Sequence, residues 1–494
     1  VSPTLAAAVV LAAGEGTRMK SAIPKVLHTL GGRPLLAHAV AAVEACGPEH
    51  LCVVVGHGRD QVVAELAAFA PRAVAAVQHE QLGTGHAVEC GLQELPELSG
   101  AVLVTYGDVP LLAPETLQGM LTEHEAAGAA VTVLTAVVED PTGYGRIVRD
   151  ESGAVAAIVE QRDTTAEQAA ITEINSGIYA FDAAVLAAAL ARLETDNDQG
   201  ELYLTDVLAI ARSDGHLVQA RAIEDTWQTE GVNDRIQLAE LEAEMRRRTN
   251  EAWMLAGVTM RDPSTTWIDA DVALEPDVVL EPGVSLRGAT TVAAGATIGP
   301  DTTLVDTAVG AGATVVRSHA VSARIGERAL VGPFTYLRPD ADLRTGSKAG
   351  AFVEIKSSVV GPGSKVPHLS YVGDALIGEQ TNIGAATVVV NYDGIAKHRT
   401  IVGDHVRVGS DSMLVAPVTI GDGAYTAAGS VITEDVPPGA MAVARGRQRT
   451  IEGWTRRRRP GTAAAAAADA AHAADADEDA GQSPGDRQEG DSAR

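Results

Sequence analysis

The stretch IVGDHVRVGSDSMLVAPVTIGDGAYTAAGSVI, residues 401–432, decides the fold. Val402, Val408, Leu414, Ile420, Thr426 and Ile432 recur at every sixth position, and Gly, Pro, Asp and small residues fill much of the space between them. An α-helix repeats about every 3.6 residues and a strand about every 2, so neither explains the spacing. A six-residue period is the mark of a stacked β-helix, in which each short face turns one apolar side chain inward and the next coil covers it.

The same period runs upstream through Val272, Val278 and Val284, then Val292, Ile298 and Leu304, then Ile325, Val331 and Leu337. It continues through Val360, Val366 and Val372 to Ile377, Ile383 and Val389, with slips of phase where corners or loops are absorbed. Before the repeat, residues 233–255 read as a helix whose packed face holds Ile236, Leu238, Leu241 and Met245. Before that, apolar runs at 6–13, 51–56, 101–108 and 129–138 alternate with helical patterns at 34–46, 59–69 and 115–127. That alternation predicts a largely parallel α/β sheet of Rossmann-like type, with ligands gathering beyond the carboxyl ends of its strands. The expected division is residues 1–232 as the α/β domain, 233–264 as a helical linker, 265–457 as the β-helix and 458–494 as a disordered tail. The tail is Ala-rich and then acidic, with no large apolar residue after Pro460. Arg456–Arg459 read as a solvated boundary to it.

At 494 residues the chain is too long for one ordinary core, and with 46% hydrophobic residues but only 3% aromatic, small aliphatic side chains carry the packing. A formal charge of -27 argues against a nucleic-acid surface, though not against a local phosphate site. Cys46, Cys52 and Cys90 show no metal-binding spacing and suit reduced thiols in a cytoplasmic protein. Residues 1–13 lack a basic flank and read as a buried first strand, and no apolar run reaches membrane-spanning length.

Chemistry concentrates in two regions. LAAGEGTRMKSAIPKVLHTL, residues 11–30, places Gly14 and Gly16 after the first strand, where backbone amides can approach phosphate while Arg18 and Lys25 neutralise it. The chain has only six lysines, Lys20 and Lys25 in the first part and Lys348, Lys356, Lys365 and Lys397 in the repeat. Such point charges on flexible stems suit anion capture. QLGTGHA (81–87) supplies a second Gly-rich turn with Gln78 nearby as a base-reading amide. YGDVPL sets Asp108 at a strand end, placed for Mg²⁺, with Asn233 as a second oxygen; capping of the next element is the alternative role for each.

In the repeat, KVPHLSYVGD (365–374) holds a histidine that a scaffold does not require. His368 can accept a proton near neutral pH. Arg338 and Lys356 can hold a phosphate, and Tyr371, Asn382, Tyr392 and Lys397 complete a polar pocket. NYDGIAKHR (391–399) breaks the period, as a site-building loop does.

In order, LAAGEGTRMKSAIPKVLHTL, EQLGTGHA, YGDVPL, EDPTGYGRIV, IVEQRD, EINSGIY and GELYLTD resemble the sugar-1-phosphate nucleotidyltransferases. Joined to the hexapeptide half, the chain over about residues 6–457 resembles the bacterial bifunctional N-acetylglucosamine-1-phosphate uridyltransferase/glucosamine-1-phosphate acetyltransferases. The resemblance implies that Leu11, Ala12, Ala13, Gly14, Arg18 and Lys25 surround UTP and its phosphates, with Arg18 and Lys25 catalytic in uridylyl transfer. It implies that Gln78, Gly83 and Thr84 read uracil and that Tyr106, Gly107, Asp108, Gly143, Glu160, Asn175 and Asn233 complete the UDP-sugar site, Asp108 and Asn233 holding Mg²⁺. In the second half it implies His368 as base toward an amine that attacks a thioester, with Arg338, Lys356, Tyr371, Asn382 and Lys397 on the acceptor sugar and Glu354 supporting the His368 region. Ala385, Asn391, Tyr392, Ser410, Ala428 and Arg445 are implied along acetyl-CoA.

The implied reactions are acetyl transfer to glucosamine-1-phosphate and then uridylyl transfer giving UDP-N-acetylglucosamine, in a homotrimer of left-handed β-helices with no nucleic-acid or membrane partner. A nucleotidyltransferase with a purely structural repeat domain is the nearest alternative, and a non-enzymatic scaffold the third. The chain departs from the commonest family strings at Asp340 and Ala386, where Gly is frequent, and at Ala351, where Asn is frequent.

Overall fold

The structure, a computed structural model, describes residues 5–481. The expectations for residues 1–4 and 482–494 lie outside the described residues. A mixed sheet forms the first part: β1 (Leu5–Ala12), β2 (His50–Val55), β3 (Val74–Val77), β4 (Ala101–Tyr106), β5 (Val131–Val137), β6 (Arg146–Arg149), β7 (Val155–Val159), β8 (Glu173–Asp182) and β9 (Val218–Ile223). Its order is β9-β5-β8-β4-β1-β2-β3, with β6 pairing β8 and β7. The neighbours of β1, the β2–β3 pair and the β9–β5 pair are parallel, as expected. The difference is β8, which runs antiparallel between β4 and β5. Its EINSGIYAFD sequence carries the chain back across the sheet after the β6–β7 hairpin, so no helical crossover is required there.

Helices α1 (Leu35–Glu44), α2 (Arg59–Phe69), α3 (Thr84–Gln93) and α4 (Pro114–Ala127) cover the two faces. Proline at the first turn starts α4, and Gly128 at φ 59° ends it. Two buried clusters result, one through Val9, Val54, Val104 and Val133 and one through Val10, Val53, Leu103 and Leu134, which is the alternation a two-sided sheet demands.

The linker helix, Arg235–Leu255, starts where the Asp234 carboxylate accepts from the N–H groups of Ile236 and Gln237. Leu241 is buried, with Leu238 and Met245 against the same cluster as Met19, Leu30, Leu35, Leu111 and Val232. Ile236 is not on that face; it is 71% exposed, because two residues before Leu238 is most of half a turn around the helix.

From Thr259 onward the chain coils into three parallel sheets of 11, 10 and 9 strands, a parallel β-helix of triangular section. Every aliphatic position of the hexad runs named above is buried, Thr426 included, and all but Thr426 belong to one continuous core. Each strand pairs with the one three hexads later, as Val279 does with Thr297 and Arg287 with Val305. Corners are made by residues in the left-handed region, among them Asp340 at φ 63° and Ala386 at φ 61°. This explains both departures from glycine: Asp tolerates that region well, and Ala tolerates it at a cost.

The two parts meet through the short hairpin of Thr29–Leu30 and Arg33–Pro34. Ala270 donates its N–H to Gly31 O at 2.8 Å, the Glu242 carboxylate accepts from Gly31 N–H, and Arg33 pairs with Asp271. Beyond the last coil, the tail expected to be disordered contains a helix over Ala463–Gly481, joined to Trp454–Arg458 by the Arg456–Asp469 ion pair. Alanine has the highest helix propensity, and the poly-Ala run expresses it although only Ala465 is buried among residues 463–476. Among the described residues no helix is long and apolar enough to cross a membrane.

Ala386→Gly relieves the left-handed strain at its corner. We expect the unfolding midpoint of the coil to rise, by about 1 kcal/mol of stability, in denaturant titrations followed by circular dichroism.

Candidate active sites

Strands β1, β3 and β4 end at one edge of the sheet, and the segments leaving them line a cavity of about 450 Å³. Leu11, Ala12, Ala13 and Gly14 come from the end of β1, Gln78 follows β3, and Tyr106 and Asp108 lie at the end of β4. Gly83 and Thr84 open α3, Gly143, Glu160 and Asn175 arrive from the β6–β8 region, and Asn233 stands just before the linker helix. Of the residues expected at this site, Arg18 and Gly107 are outside the wall. Arg18 still touches it, donating to Asn233 Oδ1 at 2.9 Å. Gly107 serves the backbone: its N–H donates to Leu11 O at 2.9 Å, and a Cβ there would meet Leu36 Cδ1 at 2.8 Å.

The Lys25 ammonium pairs with the Asp108 carboxylate and lies 3.5 Å from Asn233 Oδ1. The two oxygens expected to hold a metal therefore converge on a single positive centre. One carboxylate and one amide fit a hard cation that completes its shell with water and phosphate oxygens. They do not make a protein cage, and among the described residues no group of three or more His, Cys, Asp or Glu is arranged to hold a metal.

Asn175 is oriented by two donors, Gly177 N–H at 3.0 Å and the Tyr179 hydroxyl at 2.9 Å, both to its Oδ1. Its NH₂ group is left to donate into the cavity. Burial pushes the Glu160 carboxyl above the usual range, and Asp163, Asp206 and Glu201 push the same way. Burial does the same to the Tyr106 hydroxyl, which stays protonated as a donor, with Glu160 and Asp108 adding to the effect.

Sequence reading missed Gln81, Tyr144 and Gly145, which also line the cavity. Gln81 donates to Ala13 O at 2.9 Å, and the Tyr144 hydroxyl donates to Glu230 at 2.8 Å. A Cβ on Gly145 would lie 3.4 Å from Glu160 Oε1 and 3.5 Å from Asn175 Cβ, whereas one on Gly143 would meet nothing within 4 Å. The TGYGRI string contains both glycines: Gly143 is required by its φ of 90°, Gly145 by the close approach.

The second set gathers along one corner of the coil. Ala386 N–H donates to His368 O, Asp411 N–H to Ala385 O, and Gly429 N–H to Ser410 O. His368, Ala385, Ser410 and Ala428 thus stand at equivalent corners of successive coils, and Arg445 donates to Ala428 O at 3.0 Å. Around the corner, Glu354 and Tyr371 are register partners, and the Asn391 amide donates to Asp374 and reaches the Tyr371 hydroxyl at 3.4 Å. Lys356 lies 3.9 Å from Asp374, and its close side-chain contact with Lys397, together with its like charge, holds the Lys397 ammonium below the ordinary lysine value, desolvation acting the same way.

Glu354 is paired with the phosphate-suited guanidinium of Arg338 at 2.8 Å. Asn382 lies on the neighbouring face, in register with Lys365 and Arg407, and not beside Tyr371. The period predicts which residues point outward but not which of three faces they occupy. The 391–399 segment does leave the coil, closing on the Tyr392–Lys397 bridge with Ile395 fully outward.

Residues 8–204 match the MobA-like NTP transferase domain family, and residues 399–434 match the bacterial transferase hexapeptide (six repeats) family. Over 468 residues the chain is 59% identical to the bifunctional protein GlmU of Kineococcus radiotolerans, covering 94% of this chain and 95% of that one. It is 57% identical over 469 residues to the bifunctional protein GlmU of Corynebacterium glutamicum, covering 94% and 97%. The bifunctional protein GlmU of Mycolicibacterium vanbaalenii is 58% identical over 465 residues, covering 93% and 94%.

The raised Glu160 carboxyl has a consequence for stability. Below the ordinary carboxylate range it is protonated in folded and unfolded chains alike and costs nothing. Above its raised folded value the ionised group opposes folding. Glu160→Gln should therefore raise the thermal midpoint at pH 8 and leave it nearly unchanged at pH 4, measured by calorimetry on both proteins.

Proposed function

The chain belongs to the bacterial family of bifunctional GlmU proteins, and on that premise we propose how its two sites divide the work. It is a bifunctional transferase. Acetyl-CoA supplies an acetyl group to the amine of glucosamine-1-phosphate, and the N-acetylglucosamine-1-phosphate formed takes a uridylyl group from UTP. UDP-N-acetylglucosamine, a peptidoglycan precursor, and pyrophosphate are the products. The uridylyl step depends on magnesium, and the repeats form a left-handed coil.

The convergence of Lys25, Asp108 and Asn233 at the end of the parallel strands carries the assignment of the first site. A sugar phosphate is already a nucleophile near neutral pH, so the site needs alignment and charge compensation more than a base. Asp108 and Asn233 would hold magnesium, which when bound offsets phosphate charge. Lys25, with Arg18, would oppose the charge of the nucleotide phosphates. The Asn175 amide and Glu160 carboxyl face the acceptor sugar, and Gln78 with the Gly83–Thr84 turn reads the base.

In the coil, His368 takes the ammonium proton, and the free amine attacks the thioester carbonyl directly. The C–S bond breaks and coenzyme A leaves as the thiol. Arg338, Lys356 and Lys397 oppose the sugar phosphate, while the corner of Ala385, Ser410, Ala428 and Arg445 runs along acetyl-CoA. A homotrimer completes this pocket. Support comes from the ridge beside it: Phe334 and Phe352 stack at 5.2 Å while more than half exposed, with Leu369 following. The expected boundaries near residues 232, 264 and 457 belong to the same reading.

Purified protein given glucosamine-1-phosphate, acetyl-CoA, UTP and Mg²⁺ should yield UDP-N-acetylglucosamine by mass spectrometry. His368→Ala should slow acetyl transfer by about 10²–10⁴-fold and spare uridylyl transfer. Asp108→Ala should show the reverse pattern. Unchanged rates in either variant would overturn that residue's role.

A further inference from the structure

Two glutamine amides at the base end of the nucleotide cavity have their nitrogens committed. Gln81 Nε2 donates to Ala13 O at 2.9 Å. Gln78 is 6% exposed, and its Nε2 donates to Gly83 O at 3.1 Å and reaches His86 Nδ1 at 3.2 Å. An amide NH₂ has two hydrogens. Both of Gln78's are therefore used, provided His86 Nδ1 accepts. Its carbonyl oxygen is then the end left for a ligand.

His86 has a structural reason to present Nδ1 as an acceptor. It lies on α3, one turn before Cys90, and its Nε2 is 3.5 Å from Cys90 Sγ. Burial and Glu89 raise the Cys90 thiol, so sulfur stays uncharged. A neutral imidazole protonated on Nε2 can donate weakly to that sulfur and accept from Gln78 on the other side. The opposite tautomer would set an N–H against the Gln78 NH₂, two donors face to face.

We propose that His86 is a positioning residue that fixes nucleotide specificity by locking the Gln78 amide with its oxygen toward the base. This deepens the uridylyl-transfer reading above and rests on it. Uracil presents an N3–H donor, which an amide oxygen accepts. Cytosine presents N3 as an acceptor, which the same oxygen repels. A turned amide would reverse the preference, so selection between the two pyrimidines depends on which end of Gln78 is held. His86 touches neither base nor phosphate; it acts through Gln78.

The test measures kcat/KM for UTP and for CTP with N-acetylglucosamine-1-phosphate, in wild type, His86→Leu and His86→Gln. Acetyl transfer by the coil domain serves as the check that each chain is folded. His86→Leu removes the acceptor and should lower the UTP:CTP ratio by about tenfold or more. His86→Gln can still offer an oxygen and should keep the ratio within about threefold. A ratio unchanged in His86→Leu, or lowered equally in both variants, overturns the proposal.

Wild type that makes no UDP-sugar from UTP while acetylating normally would instead overturn the uridylyl-transfer reading. Should His86→Leu fail to fold, ¹⁵N spectra of histidine-labelled wild type decide the matter, with the His86→Gln spectrum assigning the signal. A neutral His86 protonated at Nε2 supports the lock, and one protonated at Nδ1 sinks it.

Discussion

One inward aliphatic at every sixth position, closed by its equivalent on the next coil, is the constraint on which the second half of this protein depends. The coil has few large side chains to spend, and Val, Ile and Leu at fixed intervals build its core without aromatics. Because each strand pairs three hexads ahead, a residue's outward position is copied from coil to coil. That copying lines up His368, Ala385, Ser410 and Ala428, which lie far apart in sequence, along one corner. Regular packing thus provides the address system for an irregular polar site.

The sheet of the first half solves the same problem differently. Parallel strands buried on both faces deliver their carboxyl ends to one edge, and the polar groups there come from several segments far apart in sequence. Lys25 is the hub: it holds Asp108 and Asn233 at once, although the three are separated by most of the domain. A lysine kept between two oxygen donors leaves the site electrically compensated before any ligand arrives, which limits the cost of grouping such residues.

Much of this was legible in the sequence, for physical reasons. The hexad period is imposed by burial, so all its predicted inward positions are inside. Strand ends and Gly-rich turns pointed to Gly14, the 81–87 turn and Asp108, because phosphate chemistry needs small residues and charge at such ends. What stayed hidden is what depends on three dimensions. Gly145 is set by its closeness to Ile158, Glu160 and Asn175, whereas Gly143 is set by a positive φ of 90°. The pairing of Glu354 with Arg338 on the adjacent coil is a contact between coils that no local string marks. Antiparallel β8 carries no local mark distinguishing its direction, and the helix over 463–481 formed where low hydrophobicity suggested none.

The hairpin that joins the two halves has a consequence for how the molecule can be divided. Its Leu30 packs with Leu241 of the linker helix, its Gly31 backbone grips Ala270, and Arg33 holds Asp271. It begins two residues after Leu27, on the segment that carries Lys25. Asn233, on the opposite wall of the same cavity, is anchored by accepting from Lys25 and Arg18 and by donating its N–H to Gln237 of the linker helix. A protease cut just after the last strand of the sheet would therefore not release a self-sufficient catalyst. The outer wall of the first reaction chamber is furnished by the girder that leads to the second.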